Sequence, residues 1–207
     1  MGICKSDKKD WTGDSRGIYI TLGASNHTGS ERESNDFYAT DPVAIDLLLD
    51  AFPVPRNVWE CACGQGHLSR RLTERGYKVL STDKVDRGYG GTLDFLEADK
   101  MPDGFGCVLT NPPYKYAMDF VLHALDILPM YGLCIMFLKT TFLEGRRRYE
   151  KLFKDNRPML VLQFVSRVLC AKNGDFQRMI DGGGSAVSYA WYIWRKGYRG
   201  PTILRWL

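Results

Sequence analysis

The chain has 207 residues, 44% of them apolar and 13% aromatic, with 28 Lys and Arg against 24 Asp and Glu for a net charge of +4. This is enough apolar residue for a packed core and enough length for one α/β domain, which excludes wholesale disorder and a pair of catalytic domains. The charge is too small to hold nucleic acid by bulk electrostatics alone, and the longest apolar run, Leu133–Leu138, falls far short of the roughly 20 residues that a membrane helix needs.

Residues 1–36 are rich in Gly, Ser, Asn, Thr and charge, show no sustained period, and are expected to form a flexible N-terminal arm. Met1-Gly2-Ile3-Cys4-Lys5-Ser6 fits the loose myristoylation pattern, but so short a pattern often arises by chance. A single domain is expected over residues 37–207. Asp41 is a helix N-cap with Pro42 at the first helical position, and Val43, Ile45, Leu47, Leu48, Leu49 and Phe52 supply an apolar face that Pro53 and Pro55 end.

Short apolar strands then alternate with amphipathic helices, the signature of a mostly parallel sheet covered on both faces. Strands are predicted at Val58–Cys63, Lys78–Thr82, Gly106–Thr110, Leu133–Lys139, Leu160–Val165 and Tyr189–Arg195. Helices are predicted at His67–Arg75, closed by Gly76, at Tyr116–Leu128 and at Arg146–Lys154. The last two strands read as an antiparallel hairpin at one edge, because little chain remains for another crossover helix. Six cysteines without CxxC or zinc spacing predict buried free thiols, no metal, and a soluble protein of the reducing cytoplasm.

Two segments carry chemistry. In Glu60-Cys61-Ala62-Cys63-Gly64-Gln65-Gly66-His67, a buried strand meets a two-glycine turn and a helix, where backbone can approach a nucleotide-like ligand closely. Asp83 follows Gly66 by 17 residues at the end of the next strand, placed to accept hydrogen bonds from two ribose hydroxyls. On these residues alone a dinucleotide-dependent oxidoreductase, a non-catalytic binding module, or a plain glycine turn with a capping aspartate also fits. The second segment, Asn111-Pro112-Pro113-Tyr114, follows a strand at the carboxyl edge of the sheet. Two prolines fix the backbone and donate nothing, so this turn offers acceptors. If the Asn111 side-chain oxygen and the Pro112 carbonyl each take one hydrogen of a planar amine, they favour pyramidal nitrogen and disperse the charge that develops on alkylation, while Tyr114 stacks on the ring.

These motifs, in this order over about Asn35–Arg195, resemble S-adenosylmethionine-dependent DNA adenine N6-methyltransferases, especially small phage-borne members. The resemblance implies a Rossmann-like class I methyltransferase fold with a seven-stranded, mostly parallel sheet, S-adenosylmethionine as cofactor, and duplex DNA with a flipped adenine as substrate in a bacterial cytoplasm. It implies a catalytic role for Asn111, Pro112, Pro113 and Tyr114. It places Tyr38, Thr40, Glu60, Cys61, Ala62, Gly64, Gly66, Asp83, Asp94 and Phe95 around the cofactor, with Asp94 and Phe95 at the adenine edge and face. Cys61 departs from the proline of many relatives, and the glycine pattern is shortened. Larger members carry a target-recognition domain that is not expected here, so phosphate contacts fall to Lys139, to Arg146, Arg147 and Arg148, or to Arg195, Lys196, Arg199 and Arg205, and Phe176 is the candidate second stacking ring. The arginine run reads equally as a solvated helical turn. The same chemistry on cytosine N4, an RNA base or a protein glutamine is the near alternative. His123, grouped with Asp119 and Asp126, is expected on the wet face of its helix.

Overall fold

A computed structural model describes residues 38–172, 174–181, 184–185 and 187–207. The expected arm, the myristoylation pattern, Cys4 and Asn35-Asp36-Phe37 lie outside the described residues.

Ten strands are seen among the described residues: β1 (Tyr38–Thr40), β2 (Asn57–Glu60), β3 (Lys78–Asp83), β4 (Gly91–Thr92), β5 (Cys107–Thr110), β6 (Leu133–Lys139), β7 (Leu160–Gln163), β8 (Cys170–Lys172), β9 (Tyr189–Arg195) and β10 (Ile203–Trp206). Eight of them form one sheet in the order β10-β7-β9-β6-β5-β2-β3-β4, and β1 pairs antiparallel with β8 in a separate ribbon. The helices are α1 (Val43–Ala51), α2 (His67–Glu74), α3 (Ala117–Ile127), α4 (Arg146–Arg148, continued by a π turn over Tyr149–Phe153) and α5 (Phe176–Asp181).

All neighbours in the large sheet are parallel except β9, which is antiparallel to both β6 and β7. The expected antiparallel pair therefore exists, but β9 is inserted beside β6 and the short β10 extends the sheet beyond β7, giving eight strands where seven were expected. β10 is exposed along its length, so no apolar pattern announced it. β1, β4 and β8 have two or three residues each, too few for periodicity to register.

Alternation along the strands separates two cores. Val58, Leu109, Ile135, Phe137 and Trp191 face α1 and α2 through Ala44, Ile45, Leu48, Leu68 and Leu72. Trp59, Val108, Cys134, Met136 and Tyr192 face α3 through Phe120, Val121 and Ala124. Asp41 caps α1 by accepting from the Val43 N–H at 3.0 Å, as its position predicts. Asp46 of α1 accepts from both Arg71 and Arg75 at the end of α2, which holds the two helices side by side. Trp191 has no exposed surface, and its indole N–H donates to the Ala44 carbonyl at 2.9 Å, joining sheet to α1. Trp191→Ala is expected to cost about 3–5 kcal/mol, read as a lower denaturation midpoint.

Candidate active site

Parallel strands carry their last residues to the same edge, so β2, β3, β5 and β6 deliver Glu60, Asp83, Asn111 and Lys139 there. The strand order reverses direction between β2 and β5, and ligands of open α/β sheets bind in the crevice formed at such a point. A pocket of about 30 Å³ lies in it, lined by Tyr38, Thr40, Glu60, Ala62, His67 and Asn111 among others.

Asn111 is the most constrained side chain of the site. Its amide nitrogen donates to the Tyr38 carbonyl at 3.1 Å, to Thr40 Oγ1 at 2.9 Å and to Cys170 Sγ at 3.4 Å. All three acceptors belong to the β1–β8 ribbon, so a small antiparallel unit laid beside the main sheet decides which way the amide faces. Asn111 Oδ1 is buried and accepts no hydrogen bond from the described residues. An orphan acceptor in such a place costs stability unless a ligand donates to it. In the adjoining turn the Pro113 carbonyl accepts from Tyr116 at 2.9 Å, whereas that of the buried Pro112 accepts no hydrogen bond from the described residues. Two acceptors with open lone pairs therefore stand one residue apart.

Tyr114 is more enclosed than a free stacking platform. Its hydroxyl lies 3.2 Å from Cys170 Sγ and donates to Tyr189 at 3.1 Å, while Lys139 Nζ sits 4.5 Å from its ring centre and the Tyr38 ring 5.6 Å away. A planar substrate takes this ring only where Lys139 gives way. Lys139, expected at a phosphate, instead covers Tyr114 in this conformation.

Glu60 is 2% exposed and is held by the Ser69 hydroxyl, which also lies 2.7 Å from that of Ser81. Burial pushes its carboxyl up from 4.5 to about 8, so the group is largely protonated at neutral pH. Asp83 closes the glycine turn from below, accepting from Gly64 N at 2.8 Å through one oxygen and from Val85 N at 2.9 Å through the other. Each oxygen keeps a lone pair for a further donor. Gly66 has φ +81°, and a Cβ there would run into the Tyr89 ring, over which Arg70 lies at 4.4 Å. Glycine is thus required by both conformation and space.

The expectations for Phe95 and His123 are corrected. Phe95 is 1% exposed and packs between Trp59, Phe120 and His123, so its ring belongs to the core and offers no face to an adenine. Cys61 likewise buries its thiol in the α3 core and can meet a ligand only through its backbone. Asp94 caps the short 3-10 turn over Phe95–Glu97 and pairs with Lys84 at 2.6 Å, an interaction that holds its carboxyl below the usual range. His123 does not lie on a wet face: its ring meets Phe95 at 5.0 Å and its Nε2 is buried without a partner among the described residues. Phe176, at the start of α5, packs edge-on against His67 at 5.7 Å, which puts it beside the pocket on the glycine-turn side. Arg146 pairs with Glu150, and Arg148 donates to the Glu144 and Thr141 carbonyls, so two of the three arginines brace their own turn. Arg195, Lys196 and Arg199 lie at or beyond the end of β9 that faces the start of β6, the sheet edge opposite Asn111.

Sequence reasoning missed Ser69, Ser81, Cys170 and Tyr189, which hold Glu60 and Tyr114 in place. Ser69 ends the glycine-turn segment but was given no role there, and Ser81, Cys170 and Tyr189 belong to no motif; the packing of α2 on β2 and β3 and the meeting of β8 and β9 with the Asn111 turn bring them into place.

No protein-family model matches the chain, and no curated protein matches it. Solved structures do match in fold. A protein of Pyrococcus horikoshii assigned as an RNA methyltransferase aligns with a TM-score of 0.58 and 17% identity, over 87% of this chain and 97% of that one. A class I S-adenosylmethionine-dependent methyltransferase assigned in Listeria monocytogenes gives 0.53 and 13%, over 93% and 72%. A modification subunit assigned to a type I restriction enzyme of Vibrio vulnificus gives 0.54 and 14%, over 95% of this chain and 53% of that one. The chain therefore has the α/β Rossmann-like fold of class I methyltransferases. Among the described residues no helix is long and apolar enough to cross a membrane, and no cluster of three or more His, Cys, Asp or Glu could hold a metal.

Proposed function

We propose that the protein is a methyltransferase that uses S-adenosylmethionine to methylate a planar NH2 group of a nucleic-acid base, with adenine N6 in DNA as the specific reading. The observation that carries it is the buried, unpartnered Asn111 Oδ1 at the strand-order reversal. The cofactor supplies an electrophilic methyl group. Glu60 fits the ammonium of its methionine part, Asp83 the ribose hydroxyls, and the Gly64–Gly66 turn a close backbone approach. The pocket has room for about one water molecule, so a nucleoside enters by displacing a wall.

The chain's own contribution is positional and electrostatic. Asn111 Oδ1 and the Pro112 carbonyl each accept one hydrogen of the substrate amine, which draws the nitrogen lone pair out of conjugation and stabilises positive charge as it develops there. Because Asn111 Nδ2 is already held by Tyr38 and Thr40, its oxygen cannot be exchanged for nitrogen at the substrate without breaking those bonds. The excess proton leaves to water, since an alkylated aromatic amine is strongly acidic.

A second reading, an RNA base as substrate, is favoured by the likeness to the Pyrococcus protein assigned as an RNA methyltransferase, which runs over 97% of that protein's length. Incubation with cofactor and unmethylated DNA or RNA, followed by digestion to nucleosides and mass analysis, tests both. N6-methyladenine from DNA, formed at least about a hundredfold more slowly with Asn111→Ala, is the expected result. Product from RNA alone selects the second reading, methylated cytosine alone removes adenine, and no product on either nucleic acid overturns the proposal.

A further inference from the structure

A second cavity, of about 240 Å³, opens at the sheet edge opposite Asn111. β9 runs between the two edges, and its seven residues span roughly 20 Å at the usual strand rise. A ligand in this cavity is thus separate from the one beside Asn111. Among the described residues four cations line the cavity, Arg157, Arg195, Lys196 and Arg199, and no acidic side chain does. None of the four forms an ion pair among the described residues.

Three of these cations are held in place by backbone. Lys196 Nζ donates to the Asp126 and Leu128 carbonyls at 2.7 and 2.6 Å, at the end of α3 where a cation is favoured by the helix dipole. Arg199 donates to the Asp155 carbonyl at 3.2 Å, and Arg157 reaches the Lys154 carbonyl at 3.5 Å. Arg195 lies over the Tyr198 ring at 5.4 Å, and its guanidinium donates no hydrogen bond among the described residues. These carbonyls carry no net charge. Four like charges around one concavity repel each other, and a bound dianion removes that cost while accepting from guanidinium forks already in position. The wall also includes Leu125 and Met130, which suit a small apolar or flat group attached to the anion.

We propose that this cavity is a binding site for a small phosphorylated molecule, a phosphate or diphosphate ester with the phosphate among Arg157, Arg195 and Arg199. The site is concave and partly apolar, which favours a compact ester over the extended backbone of a nucleic acid. This reading is independent of the methyl-transfer proposal, because none of the residues is shared.

Calorimetric titration of the full chain with pyrophosphate, phenyl phosphate and phenol at constant ionic strength tests it. The two phosphates are expected to bind and phenol is not, and the double variant Arg157→Gln, Arg195→Gln is expected to lose about tenfold or more in affinity, as removal of charge-assisted hydrogen bonds does. The thermal midpoint of that variant without ligand is expected to stay within a few degrees of wild type, which shows that it is folded. No binding of either phosphate, or binding that the double variant retains, overturns the site. If the variant instead loses duplex DNA or RNA binding while phenyl phosphate binds wild type no better than inorganic sulfate, the patch is a nucleic-acid contact and the proposal fails.

Discussion

Asn111→Ala is expected to lower turnover by about 10²–10³, the effect of removing one preorganised oxygen-centred or amide group from a charge-stabilising site, while cofactor affinity stays within about threefold. The side chain makes no hydrogen bond to Glu60, Asp83 or the glycine turn, so the cofactor's expected partners survive the substitution. A structural effect accompanies the loss, since the Tyr38 carbonyl and Thr40 Oγ1 lose their donor, worth about 1–2 kcal/mol. Thermal unfolding with and without cofactor separates the two. If turnover survives within about tenfold, Oδ1 is not the amine acceptor and the proposed chemistry falls.

Glu60→Gln is expected to remove the pH dependence that Glu60 gives to both stability and cofactor affinity. The carboxyl titrates near 4.5 when solvated and at about 8 in the fold, so between those values the native state binds the proton that the unfolded chain has released. The corresponding stability is fully present below about pH 4.5, declines as pH rises towards 8, and changes little above that. Glutamine preserves size and hydrogen bonding without titrating, so the variant should gain on wild type steadily across this window in denaturant melts. Binding of an ammonium beside Glu60 requires the ionised form. Wild-type affinity for S-adenosylmethionine should therefore climb with pH up to about 8, with proton release visible as a buffer-dependent binding enthalpy. In the variant that release disappears and affinity falls by about tenfold or more, the loss expected for one charge-assisted contact. A wild-type affinity flat from pH 6 to 9 would place the ammonium elsewhere.

Much of this was legible in the chain itself because it depends on local pattern. Leu133–Lys139 and Tyr189–Arg195 are found with the bounds that apolar runs predict, and α2 and α3 fall within a residue or two of theirs. The Asn-Pro-Pro-Tyr turn sits at the carboxyl edge of the sheet because a parallel strand must end there. Phe95 and His123 were misread because each sits where helical period or motif analogy points outward, while the packing of Trp59 and Phe120 closes over them. Arg195, Lys196 and Arg199 lie away from Asn111 for a topological reason: an antiparallel strand carries its end to the opposite edge.

Residue order alone determined the strand-and-helix alternation, the glycine turn, the carboxylates that end β2 and β3, and the proline-braced turn, since each follows from backbone preferences within a few neighbouring residues. Tertiary structure alone decided which way the Asn111 amide faces, because its orienting partners Tyr38, Thr40 and Cys170 are 59 to 73 positions away and meet it only when β1 and β8 pair. It also set the proton on Glu60 and gathered the four cations at the far edge, for burial and charge density are properties of the packed volume and have no counterpart along the chain.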